Sequence, residues 1–212
     1  MRPELQLGLY LVTDERLSRG RATTAITRAA IRGGIDVVQL RGKDMPAREQ
    51  LAIGRELRAI TREAGVLFIV NDRVDLALAL DADGVHVGQD DLPAEVVRQL
   101  IGPDRIVGVS AATIPEALAA RDAGADYLGV GAIYGTATKL DAGAATGPGL
   151  LSTISGAVDL PLVAIGGITA TNIAEVIAAG AVSAAVVSAI VSADDPEAAA
   201  RDLQRRIAAA LR

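Results

Sequence analysis

The stretch IVGVSAATIPEALAARDAGADYLGV, residues 106–130, decides the fold. It opens on an aliphatic run of strand length at 106–109 and passes through Ser110-Ala111-Ala112-Thr113 into an Ala-rich helical segment at 115–123. It then turns at Gly124-Ala125-Asp126 into a second aliphatic run at 127–130. Short runs that are apolar on both pleat faces suit strands covered by helices on both sides, hence a parallel sheet. Gly just past the helix supplies the left-handed residue that closes a helix C-terminus and keeps the return loop short. The same punctuation recurs at Gly33-Gly34-Ile35-Asp36 and at Ala179-Gly180-Ala181-Val182.

Working outward, the pattern predicts strands at residues 7–12, 36–40, 67–70, 84–87, 106–109, 127–130, 162–165 and 184–187. Helices are predicted at 22–32, 47–64, 73–80, 94–101, 115–123, 150–157, 170–179 and 196–211. Strands and helices pair one to one, and no Pro/Ser-rich linker divides the chain. The class is therefore α/β, and the expected architecture is a single (β/α)8 TIM barrel over residues 1–212, with an open doubly wound sheet as the alternative.

Composition narrows the chemistry. The 212 residues are 50% hydrophobic but only 2% aromatic, with no Cys and one His. Disulfides, thiolate zinc sites, iron–sulfur ligation, a Cys nucleophile and a multi-histidine metal site are excluded. A net charge of −5 with acids and bases interspersed offers no basic stripe for nucleic acid or an anionic membrane, so an anionic ligand must be held locally. The first residues lack the apolar segment of a signal peptide, and 176–193, interrupted by Gly and Ser, is read as a buried strand with its flanks rather than a membrane span. The expected setting is cytoplasmic and the expected partners are small-molecule substrates, with neither nucleic acid nor a membrane. A homo-oligomer is left open.

In a barrel, chemistry gathers at the C-terminal strand ends. Polar or glycine residues stand there in seven consecutive units. Gln39, Arg41 and Lys43 follow the period of the second strand, so they are expected to present two cations and an amide to one anion. Asn71-Asp72 ends the third strand and Gln89-Asp90-Asp91 follows the fourth. Asp72 and Asp91 suit Mg2+, which takes one or two carboxylates with water and phosphate oxygens, while Asp90 competes as ligand and an Asp after a strand also serves as a helix N-cap. Ser110 ends the fifth strand. Gly166-Gly167 and Val187-Ser188 follow the seventh and eighth, where this fold repeatedly holds phosphate on backbone N–H groups. The segment 135–149 is long for a βα connection and reads as a mobile lid carrying Thr136, Thr138 and Lys139. His86, between two Val, is read as a hydrogen-bonded interior residue in preference to an acid/base.

Taken in order, VQLRGK, FIVNDRVDLAL, ADGVHVGQDD, VGVSAAT, GADYLGVGAIYGTATK, AIGGIT and AVVSAI resemble the thiamine-phosphate synthase family over nearly the whole chain. The resemblance implies a transferase that joins hydroxymethylpyrimidine diphosphate to hydroxyethylthiazole phosphate, giving thiamine phosphate and pyrophosphate by a dissociative, carbocation-type route. It assigns Gln39, Arg41, Lys43, Asn71, Ser110 and Lys139 to the pyrimidine diphosphate, with Arg41, Ser110 and Lys139 as catalytic. It assigns Asp72 and Asp91 to Mg2+, and Thr136, Thr138, Gly167, Val187 and Ser188 to the thiazole phosphate.

Three positions depart from the family pattern. Gly42 replaces a Glu, Ala112 replaces a His, and Gly135 replaces the Pro that usually opens the lid. The expected consequences are altered packing beside Arg41, any role of that His absent or supplied elsewhere, and a looser lid. A thiazole tautomerase would not need the diphosphate and metal residues. A phosphate-binding sensor would leave Asp72 and Asp91 without a task, and a phosphosugar isomerase or lyase of this fold would need a catalytic base.

Overall fold

In a computed structural model, residues 5–136, 138 and 144–212 are described. Eight parallel strands close in sequence order into one barrel: β1 (Leu9–Val12), β2 (Val37–Leu40), β3 (Leu67–Asn71), β4 (Gly84–Val87), β5 (Ile106–Ala111), β6 (Tyr127–Val130), β7 (Leu162–Ile165) and β8 (Ser183–Val186), with β8 paired to β1. The open sheet is thereby excluded. The helices are α1 (Thr23–Arg32), α2 (Ala47–Ala64), α3 (Val74–Ala79), α4 (Ala94–Ile101), α5 (Ile114–Asp122), α6 (Gly149–Ser155), α7 (Ile173–Ala178), α8 (Ser188–Val191) and α9 (Pro196–Ala210). Two elements go beyond the sequence reading. One is a 3-10 turn at Glu15–Leu17, and the other is α8, a single helical turn inserted between β8 and the long closing helix.

Strand alternation sorts the core into two shells. Tyr10, Val12, Val37, Leu67, Ile69, Ile106, Tyr127, Val163 and Ala185 pack together inside the barrel. Their strand neighbours Leu9, Leu11, Val38, Phe68, Val70, Val107, Leu128 and Ala184 pack outward against the helices. The helices meet them with stripes at helical spacing, such as Leu57, Ile60 and Thr61 on α2 and Ala200, Leu203 and Ile207 on α9.

A repeated acidic device closes the N-terminal end of the barrel. Asp36, Asp83 and Asp126 each stand immediately before an even-numbered strand, and each accepts the backbone N–H of the preceding one: Leu9 at 2.8 Å, Phe68 at 2.8 Å and Val107 at 2.8 Å. Arg58 holds Asp83 and Arg98 holds Asp126 from the helix layer. Burial raises the Asp36 carboxyl above its ordinary value, against the bonds from Leu9 and Gln204. Before β8, Val182 replaces the acid, and Ser183 donates to the Leu7 carbonyl at 2.6 Å instead.

Two glycines make the interior habitable for large polar side chains. A Cβ on Gly108 would lie 2.1 Å from Cζ of Tyr127, and one on Gly129 would lie 2.8 Å from Cε1 of His86. Gly108→Ala is expected to destabilise the protein by about 2–3 kcal/mol, because the buried Tyr127 ring cannot yield without breaking its hydroxyl bonds. The denaturation midpoint checks this, and an unchanged midpoint would show that the ring relocates at no cost.

Candidate active site

The C-terminal strand ends converge on one mouth. On the inner face, Gln39, Asn71, His86 and Ser110 continue the alternation of Val37, Ile69, Gly84 and Gly108. Their backbones are held in register: Asn71 faces His86 across β3–β4, and Ser110 faces Gly129 across β5–β6.

The expected alignment of Gln39, Arg41 and Lys43 on one strand requires correction. β2 ends at Leu40, and a turn closed by Met45 N–H to the Gly42 carbonyl at 3.1 Å follows. Gln39 is buried inside the barrel, where its amide nitrogen donates to the Tyr10 hydroxyl at 2.8 Å. Arg41 and Lys43 instead line a rim cleft with Asp14, Arg16, Asp44 and Met45. The Arg41 guanidinium, 12% exposed, is anchored at 3.1 Å on Asp14, which is 3% exposed. Thr13 accepts the Arg41 backbone N–H at 3.0 Å, and Arg16 donates to the same Asp14 carboxylate. Asp14 and Thr13 were missed at the sequence level, although they stand just past β1 and so carry the signal used for the other strands.

Asp72 and Asp91 follow the neighbouring strands β3 and β4. The Asp72 N–H donates to the His86 carbonyl at 2.7 Å, with Asp72 at φ +60, a left-handed conformation that Asp tolerates better than most residues. One Asp91 oxygen accepts the Gly88 N–H at 2.7 Å. Neither is the N-cap residue of the following helix: Arg73 stands at that position for α3 and Pro93 for α4. Asp90 is exposed. No group of three potential metal ligands occurs among the described residues. Two hard carboxylates at neighbouring strand ends nonetheless fit Mg2+, which leaves its other positions to water and phosphate.

On the opposite side of the mouth, Ile133 and Tyr134 donate to the Ile165 and Gly166 carbonyls at 2.9 and 3.0 Å. Gly166 and Gly167 both take positive φ, +101 and +63, and a Cβ at Gly167 would lie 2.6 Å from the Gly135 carbonyl oxygen. Asn172 fixes this turn through its amide to the Gly167 carbonyl at 3.0 Å. Val187 precedes the first turn of α8 and Ser188 begins it, which places both just past the C-terminal end of β8.

The segment from 135 is partly described. Thr136 Oγ1 accepts the Thr138 N–H at 3.2 Å, and Lys139 lies outside the described residues. The return leg is pinned, with Thr146 and Gly147 N–H donating to the Ala132 and Ile133 carbonyls at 3.0 and 2.9 Å. Tyr134 donates to Glu175 at 2.6 Å, and burial together with this carboxylate pushes its phenol up to about 12.

The departures have distinct surroundings. A Cβ at Gly42 would press on Gln50 at 3.0 Å, whose amide spans the Gly42 and Met45 carbonyls, so the effect there is one of packing and hydrogen bonding. Ala112 is exposed, and its N–H donates to the Glu116 carboxylate at 2.7 Å, while the hydroxyl of the N-cap residue Thr113 accepts the Glu116 N–H at the start of α5. A Cβ at Gly135 would meet open space.

The chain matches a family model described as thiamine monophosphate synthase over residues 9–190. It is 57% identical to the thiamine-phosphate synthase of Roseiflexus sp. (strain RS-1), covering 96% of this chain and 86% of that protein. It is 55% identical to the thiamine-phosphate synthase of Roseiflexus castenholzii, covering 92% and 86% respectively. Among solved structures, a thiamine phosphate pyrophosphorylase from Pyrococcus furiosus superposes with a TM-score of 0.90 at 42% identity, covering 97% of this chain and 98% of that one.

Proposed function

Since the chain belongs to the thiamine-phosphate synthase family and is a transferase of thiamine phosphate synthesis, we propose that its substrates are hydroxymethylpyrimidine diphosphate and hydroxyethylthiazole phosphate. The observation that carries this reading is the rim cleft at β2, where Arg41 is anchored on Asp14 with Lys43 in the same cleft, on the same mouth as the glycine turn at β7 and the helix start at β8. Two anion sites on one barrel mouth match two phosphorylated substrates.

In this reading Arg41, Lys43 and Lys139 neutralise the diphosphate, while Asn71 and Ser110 orient it from the inner face and Gln39 supports them from within. Asp72 and Asp91 would hold Mg2+, which when bound neutralises diphosphate charge and makes it a better leaving group. Departure of pyrophosphate leaves a cation stabilised by the electron-rich aminopyrimidine, and the thiazole nitrogen then attacks. The inner polar groups at the mouth, two amides, a hydroxyl and an imidazole, are suited to orientation rather than strong-base chemistry, which fits a dissociative route. Thr136, Thr138, Gly167, Val187 and Ser188 would seat the thiazole phosphate. No helix of the described residues is long and apolar enough to cross a membrane, and a cytoplasmic setting fits these substrates.

The deciding experiment incubates the protein with both substrates, with and without Mg2+, and measures thiamine phosphate and pyrophosphate. Metal-dependent formation of both in equal amounts is expected; binding of both without product would overturn the reading. Thr136→Ala is expected to raise KM for the thiazole phosphate about tenfold while leaving that for the diphosphate in place, the size of one lost hydrogen bond. An unchanged thiazole saturation curve would remove Thr136 from the site.

A further inference from the structure

A line of hydrogen bonds crosses the barrel from β2 to β5. Gln39 Nε2 reaches Tyr10 Oη at 2.8 Å, Tyr10 Oη meets Tyr127 Oη at 2.9 Å, Tyr127 Oη meets His86 Nδ1 at 3.0 Å, and His86 Nε2 meets Ser110 Oγ at 3.0 Å. Both tyrosines are 1% exposed. Burial raises both phenols above their ordinary value, so each is neutral and carries one proton.

The direction of the line follows from proton counting. The Gln39 amide nitrogen only donates, so Tyr10 accepts from it. The Tyr10 proton then goes to Tyr127, because the reverse arrangement leaves a buried phenol proton without an acceptor among the described residues, at the full cost of desolvation. Tyr127 has spent an acceptor position on Tyr10 and donates its own proton to His86 Nδ1. Nδ1 is therefore the acceptor, and the ring proton sits on Nε2, from which it is given to Ser110 Oγ.

We infer that this one-way line holds Ser110 as a hydrogen-bond donor to the substrate, with Tyr10, Tyr127 and His86 as positioning residues. The Ser–His contact has the spacing of a nucleophile and its general base, yet the wiring is opposite. An Nε2 that already carries its proton cannot take one from Ser110, and the hydroxyl proton is left to point into the mouth. The catalytic consequence rests on the assignment of Ser110 to the pyrimidine diphosphate; the hydrogen-bond direction does not.

The chain has a single His, so the imidazole signals of the uniformly 15N-labelled full-length protein need no assignment. Long-range 1H–15N spectra at a pH well above the ordinary imidazole range are expected to show one neutral form, with the proton on Nε2 and Nδ1 as a hydrogen-bonded acceptor. Tyr127→Phe is expected to move Nδ1 to the position of an unbonded acceptor. It should lower kcat by about tenfold with KM for the diphosphate substrate unchanged, the size of one hydrogen bond. Ser110→Ala is expected to lower kcat about a hundredfold, as for loss of one oriented donor, while Nδ1 stays proton-free.

A wild-type spectrum with the proton on Nδ1 would overturn the inference without recourse to any variant. So would a Tyr127→Phe spectrum in which Nδ1 does not move. An Nε2-protonated ring in a protein that forms no thiamine phosphate would uphold the wiring and overturn the substrate assignment.

Discussion

Arg41→Gln is expected to lower kcat/KM for the pyrimidine diphosphate by about a thousandfold, at the upper end for loss of one group that stabilises developing charge. The reason lies in how Arg41 is held. A flexible surface cation would lose most of its effect to side-chain entropy and solvent, whereas this guanidinium is anchored on the buried Asp14 and its backbone is clamped by Thr13. It is aimed before substrate arrives, and that orientation costs nothing at the moment the leaving group gains charge.

The same anchoring predicts a stability cost. Without Arg41, the Asp14 carboxylate keeps Arg16, whose side chain is 55% exposed, as a cationic partner. The expected loss is about 1–3 kcal/mol, below the full cost of breaking a buried pair because one partner remains. Asp14→Asn separates the two effects. It keeps the cation and loosens its aim, so kcat/KM should fall about tenfold, the scale of one charge-assisted hydrogen bond. In the double variant the effects should be far from additive. If Arg41→Gln couples substrates at wild-type kcat/KM, the β2 cleft is not the diphosphate site.

The barrel was legible because its signal is repeated. A single aliphatic run such as 84–87 is ambiguous between strand and buried helix, but eight runs alternating with helical segments and closed by the same glycine punctuation permit little else. Five predicted strands shifted at an end, as where β1 begins at Leu9 and β5 extends to Ala111. Hydrogen-bond register, which local pattern does not encode, sets those limits. The end of β2 mattered most. Strand period was extended through Gly42 to Lys43, and the chain leaves the sheet at Arg41 instead.

What escaped was the pairing between distant segments. Tyr10 and Tyr127 are 117 residues apart and look in the sequence like ordinary aromatic core residues. Nothing local says that their hydroxyls meet, or that Gly108 and Gly129 are glycines because Tyr127 and His86 fill the space in front of them. His86 was readable as an interior hydrogen-bonded residue from its Val neighbours, and it is one. α8 was missed for a different reason: four residues, Ser188–Val191, carry no periodicity to detect.

Asp91→Asn should separate charge from architecture more cleanly than any other change at the mouth. In the folded chain one Asp91 oxygen accepts the Gly88 N–H at 2.7 Å, and the amide oxygen of Asn can accept the same bond. The turn between β4 and α4 should survive while a hard anionic ligand is lost. The expected result is a Mg2+ requirement raised about 10–100-fold, with kcat/KM at fixed low Mg2+ falling in proportion, and a melting temperature close to wild type. Asp91→Ala removes both functions, so it should add a stability loss of about 1 kcal/mol to the metal defect. Asp72→Asn should resemble Asp91→Asn, since the ladder from the Asp72 N–H to the His86 carbonyl brings the two carboxylates to neighbouring strand ends. Asp90 is the internal control: it is exposed at the same loop, and Asp90→Asn should leave the metal dependence where it was. The Mg2+-induced shift in melting temperature gives a second readout independent of turnover, because a ligand bound only by the folded protein stabilises it in proportion to its affinity. If that shift is kept in Asp72→Asn and Asp91→Asn but lost in Asp90→Asn, the metal sits on the exposed side of the loop and the assignment of Asp91 is wrong.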